Sequence, residues 1–174
     1  MKNQIEQATA VLIGKNLWRC TRAADLAAFQ FGDRRASTTW KGELREVGEY
    51  ALHVQCSWRI AQHEKVIVAH RDLYYPAIYD ETQPIPSNFN WDIQGANRRD
   101  RLIQEFFQNG ARSYRVERSE AGSAGAFRLM LEQGLALEIF PDDSFEDEHW
   151  RLFEPDMDRP HFVVSGAGIE PMDG

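Results

Sequence analysis

Cysteine is scarce in this sequence: only Cys20 and Cys56 occur among 174 residues, and no CxxC pair exists. A zinc ribbon and a thioredoxin-type redox site are therefore excluded. Both cysteines lie among strand-like residues and are predicted to be small core side chains, while a disulfide between them stays open. The sequence also lacks any apolar run of about 18 residues, the length that a membrane-spanning helix needs.

Basic residues are also fewer than acidic residues. The chain has 20 Lys and Arg residues against 27 Asp and Glu, a formal net charge of -7 and a pI near 5.2. This balance argues against a nucleic-acid partner and against an anionic membrane surface. The apolar run at residues 8–13 is too short for a signal peptide. We therefore expect a cytoplasmic protein with neither nucleic-acid nor membrane partners.

Motifs of well-known catalytic sites are missing as well. The sequence contains no GxSxG, no HExxH, no catalytic-cysteine signature and neither a Walker nor a dinucleotide-binding glycine pattern. The five acids in residues 142–148 do not have the spacing of an EF-hand loop. We therefore predict no cofactor and no metal ion, and whether the protein is an enzyme stays open.

What the sequence does contain is a core. Hydrophobic residues make up 43% of the chain, including 10 Phe and 5 Trp, and the length suits one domain over residues 1–174. Helical periodicity predicts helices over 3–13 and 97–109. Candidate strands occupy 17–22, 26–31, 34–40, 50–60, 65–72, 113–118, 127–132, 135–140, 149–153 and 161–165. Without regular βαβ alternation, this order predicts an α+β fold, a mainly antiparallel sheet of about eight strands, curved or two-layered, with two helices packed on it. Residues 167–174 are predicted to be a frayed tail.

Strict alternation of apolar and polar residues over 50–60 is the clearest periodic pattern. If residues 61–64 turn the chain into strand 65–72, His53 faces Asp72 and Gln55 faces His70. Such a polar face could bind a metal ion or a small molecule, or could supply an acid/base pair. A solvated face with cross-strand hydrogen bonds is the simpler interpretation, because a shift of one residue removes the cluster. The candidate ligand-binding residues here are His53, Gln55, Arg59, His70 and Asp72.

Arg98, Arg99 and Arg101 lie in the first turn of the second predicted helix, after the N-cap candidate Asn97. Positive charge at this end opposes the helix dipole, so a bound carboxylate or phosphate would offset the cost. The alternative is pairing with the protein's own acids. Arg98 and Arg99 are therefore candidate anion-binding residues.

Two segments are candidates for a contact surface with a protein partner. The long connection 73–96 interleaves aromatic residues with three prolines and is predicted to be an ordered loop packed on the body. The acids of 142–148 are either a solvated connection or a surface for a basic partner.

Three stretches carry a resemblance: residues 51–60, the segment from Phe140 to Ser144, and Trp150 to Pro155 together with His161 to Gly166. They resemble an uncharacterised family of bacterial single-domain proteins, over most of residues 50–168. The resemblance implies a bacterial, stand-alone cytosolic protein and carries no activity. Size and acidity are also similar to those of immunity proteins that neutralise toxins.

The sequence therefore favours a non-enzymatic binding protein for a macromolecular partner. The alternative is a binder of a small molecule or anion, or an enzyme, that uses the polar face of 50–60. The third interpretation is a structural subunit of a homodimer that neither catalyses a reaction nor binds a ligand.

Overall fold

The computed structural model describes residues 1–39 and 41–170. Trp40, at the end of the predicted strand 34–40, and residues 171–174, in the predicted tail, lie outside the described residues. No helix in the described part of the chain is long and apolar enough to cross a membrane. The α-helices are α1 (Lys2–Thr9) and α2 (Arg98–Phe106); short 3-10 helices follow at Ala10–Leu12, His70–Tyr74, Gln108–Gly110 and Glu132–Gly134.

Strands account for about half of the remaining described chain. They are β1 (Asn16–Ala23), β2 (Leu26–Phe31), β3 (Arg35–Thr38), β4 (Leu44–Val47), β5 (Tyr50–Val54), β6 (Ser57–Gln62), β7 (Lys65–Ala69), β8 (Tyr114–Ala121), β9 (Phe127–Leu131), β10 (Leu135–Phe140), β11 (Glu148–Phe153), β12 (Phe162–Ser165) and β13 (Gly168–Ile169). Eleven of them form one sheet in the order β13-β12-β11-β5-β2-β1-β8-β9-β10-β6-β7, and β3 pairs with β4.

The predicted α+β class, the antiparallel sheet and the two helices are confirmed. The expected number of about eight strands was too low, since the sheet has eleven. One reason is that the alternating segment 50–60 is two strands, not one. Another is that residues 168–169, predicted to be frayed, pair with β12.

The sheet curls because the chain changes partners at Gln55 and Cys56. Both backbone N–H groups donate to the carbonyl of His149, at 2.8 and 3.2 Å. Before this point β5 pairs with β2 and β11, and after it β6 pairs with β10 and β7. The two halves of the sheet therefore face each other across one core, in which Phe29 of β2 meets Trp58 of β6 with ring centroids 5.0 Å apart.

The hairpin of β6 and β7 is tighter than the sequence predicts. Its turn is His63-Glu64, so that Gln62 pairs with Lys65, and a bulge then places Ile60 opposite Val68. β7 ends at Ala69, where a 3-10 helix begins. The predicted pairs of His53 with Asp72 and of Gln55 with His70 are therefore wrong: alternation predicts the faces of a strand but not where the strand breaks.

Helix α2 lies where the predicted helix 97–109 begins, and its N-cap is the predicted one. The side chain of Asn97 accepts a hydrogen bond from the Asp100 N–H at 2.8 Å. At the other end, Phe106 stacks on Tyr114 with centroids 4.4 Å apart, and the Tyr114 hydroxyl donates to the Phe106 carbonyl. The helix is thereby capped at its start and packed against the sheet at its end.

Candidate functional site

The five residues predicted on the polar face of 50–60 do not converge. His53 lies on β5 opposite Arg151 and contacts Phe153 edge-on at 4.8 Å. Gln55 is exposed at the break between β5 and β6. Among the described residues, no group of three or more His, Cys, Asp or Glu side chains could hold a metal ion.

The remaining members of that set have local partners. Arg59 forms an ion pair with Glu138 on the neighbouring strand β10. Asp72 accepts the Ala69 N–H at 2.8 Å and thereby starts the 3-10 helix in which His70 lies. Burial lowers the pKa of His70, and the positive charge of Arg99 lowers it further. These contacts serve the fold rather than a shared site.

The three arginines at the start of α2 have different surroundings. Arg98 pairs with Asp72 at 3.3 Å, which is the pairing with the protein's own acids that the sequence left open. Arg101 donates to the Ala77 carbonyl at 2.6 Å and to Glu105. Arg99 instead lines a cleft, and it has no ion pair with any residue that the structure describes.

The cleft lies between β1 and helix α2 and has a volume of about 560 Å³. Cys20 and Arg22 on β1 stand opposite Phe29 and Ala27 of β2, so they point to the core side of the sheet. Helix α2 forms the facing wall, and its apolar contribution comes from Ile103 and from Phe107 at its end. Volumes of this size are typical of pockets for small organic ligands.

Arg22 clamps this wall in place. Its Nε donates to Asp100 at 2.9 Å, and only 5% and 9% of the two side chains are exposed. Its two other nitrogens donate to the carbonyls of Ala24, Trp91 and Asp92 and to the Asp92 carboxylate. Asp100 also accepts hydrogen bonds from Gly95 and Asn97. Arg22 and Asp100 are thus saturated with partners.

Arg99, which precedes Asp100 on α2, lacks such a full set of partners. It is 2% exposed, and Nη1 donates to the Asp25 carbonyl at 2.9 Å. The guanidinium lies 5.8 Å from the centre of the Trp58 ring, and Nη2 has no hydrogen-bond partner in the described part of the chain. Burial lowers the pKa of Arg99 because it opposes the charged form. The cleft therefore contains a buried cation with an unused donor.

Trp18 is a second lining residue with an unused donor. It is 4% exposed, and its indole Nε1 lacks an acceptor within residues 1–39 and 41–170. A β-bulge between Leu17 and Arg19 sets its position on β1. The guanidinium of Arg34 lies over its ring at 4.5 Å and pairs with Glu46 at 3.5 Å. Arg34 and Glu46 form the rim of the cleft.

The cleft offers no evident nucleophile. Its thiol, Cys20, is free, and burial raises its pKa to about 12, so it is protonated at neutral pH. Cys56 is also free, so the disulfide left open by the sequence does not form. Both cysteines contact the core, as predicted. None of the described residues that line the cleft is a histidine, so an acid/base pair of that kind is absent there.

Arg99 is the one predicted site residue in the cleft; the β1 residues were not predicted. A pattern was available: Trp18, Cys20 and Arg22 alternate along a strand, and an arginine on the apolar side of a strand needs an explanation. The β-bulge between Leu17 and Arg19 interrupts the alternation along β1 and so obscures this pattern in the sequence. The contact of β1 with α2 also joins residues that are far apart in sequence.

Comparison of the chain with protein-family models, with curated proteins and with solved structures finds no match. The resemblance to a bacterial family, the bacterial origin and the cytoplasmic location therefore stay predictions.

Proposed function

We propose that this protein binds a small molecule with an acidic group in the cleft between β1 and α2. One observation carries the proposal: Arg99 is buried, has no ion pair among the residues the structure describes, and leaves Nη2 unused at a cleft of about 560 Å³. An isolated buried charge destabilises a fold by several kcal/mol unless a counter-charge is present. A carboxylate or phosphate in the cleft would supply that counter-charge.

The contrast with Arg22 supports a ligand rather than a purely structural role. The Arg22 side chain is also only 5% exposed, yet side-chain carboxylates and backbone carbonyls occupy each of its nitrogens. The fold thus has the means to satisfy a buried guanidinium from its own chain. At Arg99 it supplies one carbonyl, that of Asp25. Hydrogen-bond donors that are held in position without an acceptor from the protein are typical of binding sites.

The apolar walls indicate that the ligand has a hydrophobic body as well as an acidic group. Ile103 and Phe107 of the helical wall face Ala27 and Trp18 of the sheet wall. A free inorganic anion would leave these side chains in contact with water. An organic acid would bury apolar surface, at roughly 25 cal/mol per Å², in addition to its ion pair.

Ligand-induced stabilisation tests the proposal directly. Benzoate or phenyl phosphate at about 100 times its Kd should raise the melting temperature by about 5–10 °C. In Arg99→Met the rise should disappear. In Arg98→Met, which removes the neighbouring arginine that pairs with Asp72, the rise should persist. If neither anion stabilises the wild-type protein, or both variants respond alike, the cleft is not an anion site.

A second candidate function is the binding of a protein partner through residues 73–96. This segment carries Asp80, Glu81 and Asp92 and no basic residue, and Ile78 and Ile93 on it are 92% and 58% exposed. Such apolar exposure beside negative charge suits a partner with a basic face. An immunity protein bound to a toxin is one arrangement of this kind, and a second copy of the chain is another.

The acids of 142–148 contribute less to this second candidate than the sequence indicates. Asp142 accepts hydrogen bonds from Ser57, Asp143 contacts His149 at 3.2 Å, and Glu148 pairs with Arg151.

A substitution at the exposed Ile78 tests the second candidate. Ile78→Asp should weaken any partner complex, or any dimer seen by light scattering, because it replaces an exposed apolar side chain with a charge. Leu44→Asp, at an exposed apolar residue of the β3–β4 hairpin, is the matched control. Equal effects of the two variants would contradict a specific surface.

A further inference from the structure

We infer that the ligand of the cleft is a dianion with an apolar body, a phosphomonoester rather than a carboxylate. This inference rests on the proposed function, because it names the ligand class for the same site. Its basis is the charge that remains in the cleft after the internal ion pairs are counted, together with the kind of hydrogen-bonding atoms left unused.

The charged lining residues are four arginines and two acids. Both acids have partners: Asp100 is held by Arg22 at 2.9 Å, and Glu46 lies 3.5 Å from Arg34. Arg19 and Arg99 are left, and neither has an ion pair with a residue of the described chain. The cleft thus has two arginines without an ion pair: Arg99, buried on α2, whose charge is offset only in part by the longer-range attraction of Asp100 and Asp25, and Arg19, exposed on β1.

A phosphomonoester matches this pair of charges better than a carboxylate does. At neutral pH a phosphomonoester carries a charge of about -1.5 to -2 and three acceptor oxygens, whereas a carboxylate carries one charge and two oxygens. A single carboxylate would compensate Arg99 and leave Arg19 unpaired. Several phosphate oxygens can accept from two guanidinium groups at once, and such charge-assisted hydrogen bonds are the stronger kind.

The unused buried atoms of the cleft are donors as well. Nη2 of Arg99 and Nε1 of Trp18 lack acceptors among the described residues, and neither atom can accept a hydrogen bond. The ligand therefore has to bring acceptors and needs no donor for these two atoms. A phosphomonoester has at least four oxygens, three on the phosphoryl group and one in the ester link, which fits a lining of this polarity.

The test compares ligands that share one apolar body: phenyl phosphate, benzoate and phenol, with inorganic phosphate as the fourth probe, each titrated by calorimetry. We expect phenyl phosphate to bind about tenfold or more tightly than benzoate, and phenol and inorganic phosphate to bind weakest. Arg19→Gln should weaken phenyl phosphate about tenfold and leave benzoate almost unchanged. Arg115→Gln, an exposed arginine outside the cleft, should change neither affinity.

The outcomes separate this inference from the proposed function. If benzoate binds as tightly as phenyl phosphate, or Arg19→Gln affects both alike, the cleft binds acids, but the inference that its ligand is a dianion is wrong. If inorganic phosphate binds as tightly as phenyl phosphate, the inference that the ligand has an apolar body is wrong. If none of the four probes binds to the wild-type protein, the inference and the proposed function fail together.

Discussion

Arg22 on β1 and Asp100 on α2 form a buried ion pair at 2.9 Å, and it joins residues 78 positions apart in sequence. The same arginine also contacts Asp92, at 3.3 Å, but that carboxylate is 62% exposed. One guanidinium therefore has a buried and an exposed acidic partner. Asp100 also accepts hydrogen bonds from Gly95 and Asn97, so a comparison of the two acids measures the buried pair together with this local network.

Asp100→Ala should lower the free energy of unfolding by about 3–5 kcal/mol, because it leaves the buried charge of Arg22 without its main partner. Asp92→Ala should cost about 1 kcal/mol or less, as for other exposed pairs. Urea denaturation of the two variants and the wild-type protein gives both values. Similar losses in the two variants would show that the Arg22–Asp100 pair does not hold the wall of the cleft.

Trp18 and Trp150 allow a test of the unused donor. Both rings are buried, but Nε1 of Trp150 donates to the Gly125 carbonyl at 2.8 Å, whereas Nε1 of Trp18 has no acceptor in the described chain. Trp150→Phe removes a buried hydrogen bond and leaves a carbonyl unsatisfied, at about 1–3 kcal/mol beyond the loss of ring volume. Trp18→Phe should lack that additional cost.

Thermal and urea unfolding of Trp18→Phe and Trp150→Phe should therefore rank Trp18→Phe as the more stable variant. The ring atoms lost are the same in both variants. The two sites differ in the hydrogen bond of Trp150 and in the contact of Trp18 with the Arg34 guanidinium. A reversed rank would mean that the Trp18 N–H contributes to the ligand-free fold, and the cleft would then have one unused donor instead of two.

The sequence predicts the class of the fold well, because local patterns determine it. Alternation along 127–132 and 135–140 corresponds to β9 and β10, and the N-cap Asn97 marks the start of α2. The tight turn that joins β9 and β10 also lies where Gly134 indicates it, with φ at 70°. Each of these features depends on residues within a few positions of one another.

Register and the cleft could not be predicted in the same way. The break at Gln55 and Cys56 depends on the carbonyl of His149, which lies almost a hundred residues away in the chain. The hairpin shift begins at the two-residue turn His63-Glu64, and a bulge in β7 adds to it. Arg99 was a candidate from its helix position, but its buried, unpaired state follows from how β1 packs on α2.

Acid pH should destabilise the protein through its half-buried histidines. Burial lowers the pKa of His53 and of His70 below the ordinary value of 6.5, and the positive charges of Arg151 and Arg99, respectively, add to this effect. Between the lowered folded pKa and 6.5 the unfolded chain binds more protons than the native protein, so stability falls as pH falls. Above 6.5 these two groups contribute no pH dependence.

The measurement is the free energy of unfolding in urea from pH 7.5 down to 5, for the wild-type protein and for His70→Gln. The variant should show a shallower decline through the range below 6.5, because one proton-binding difference is removed. Parallel curves for the two proteins would contradict the lowered pKa of His70.

Arg99→Met separates a functional from a structural role for the buried guanidinium. If Arg99 exists to hold a ligand, the ligand-free protein bears the cost of burying its charge, and an apolar side chain of similar length should remove that cost. Replacement of buried charges by apolar residues is often neutral or stabilising by about 1–4 kcal/mol. We therefore expect Arg99→Met to be at least as stable as the wild-type protein without ligand, and not to gain stability from phenyl phosphate.

The opposite result is equally informative. A loss of about 2 kcal/mol or more in ligand-free Arg99→Met would mean that the hydrogen bond to Asp25 and the contact with Trp58 hold the fold together. Arg99 would then be a structural residue like Arg22, whose partners all come from its own chain. Because stability and ligand response are measured on the same sample, a gain in one together with a loss in the other identifies Arg99 as a residue kept for binding.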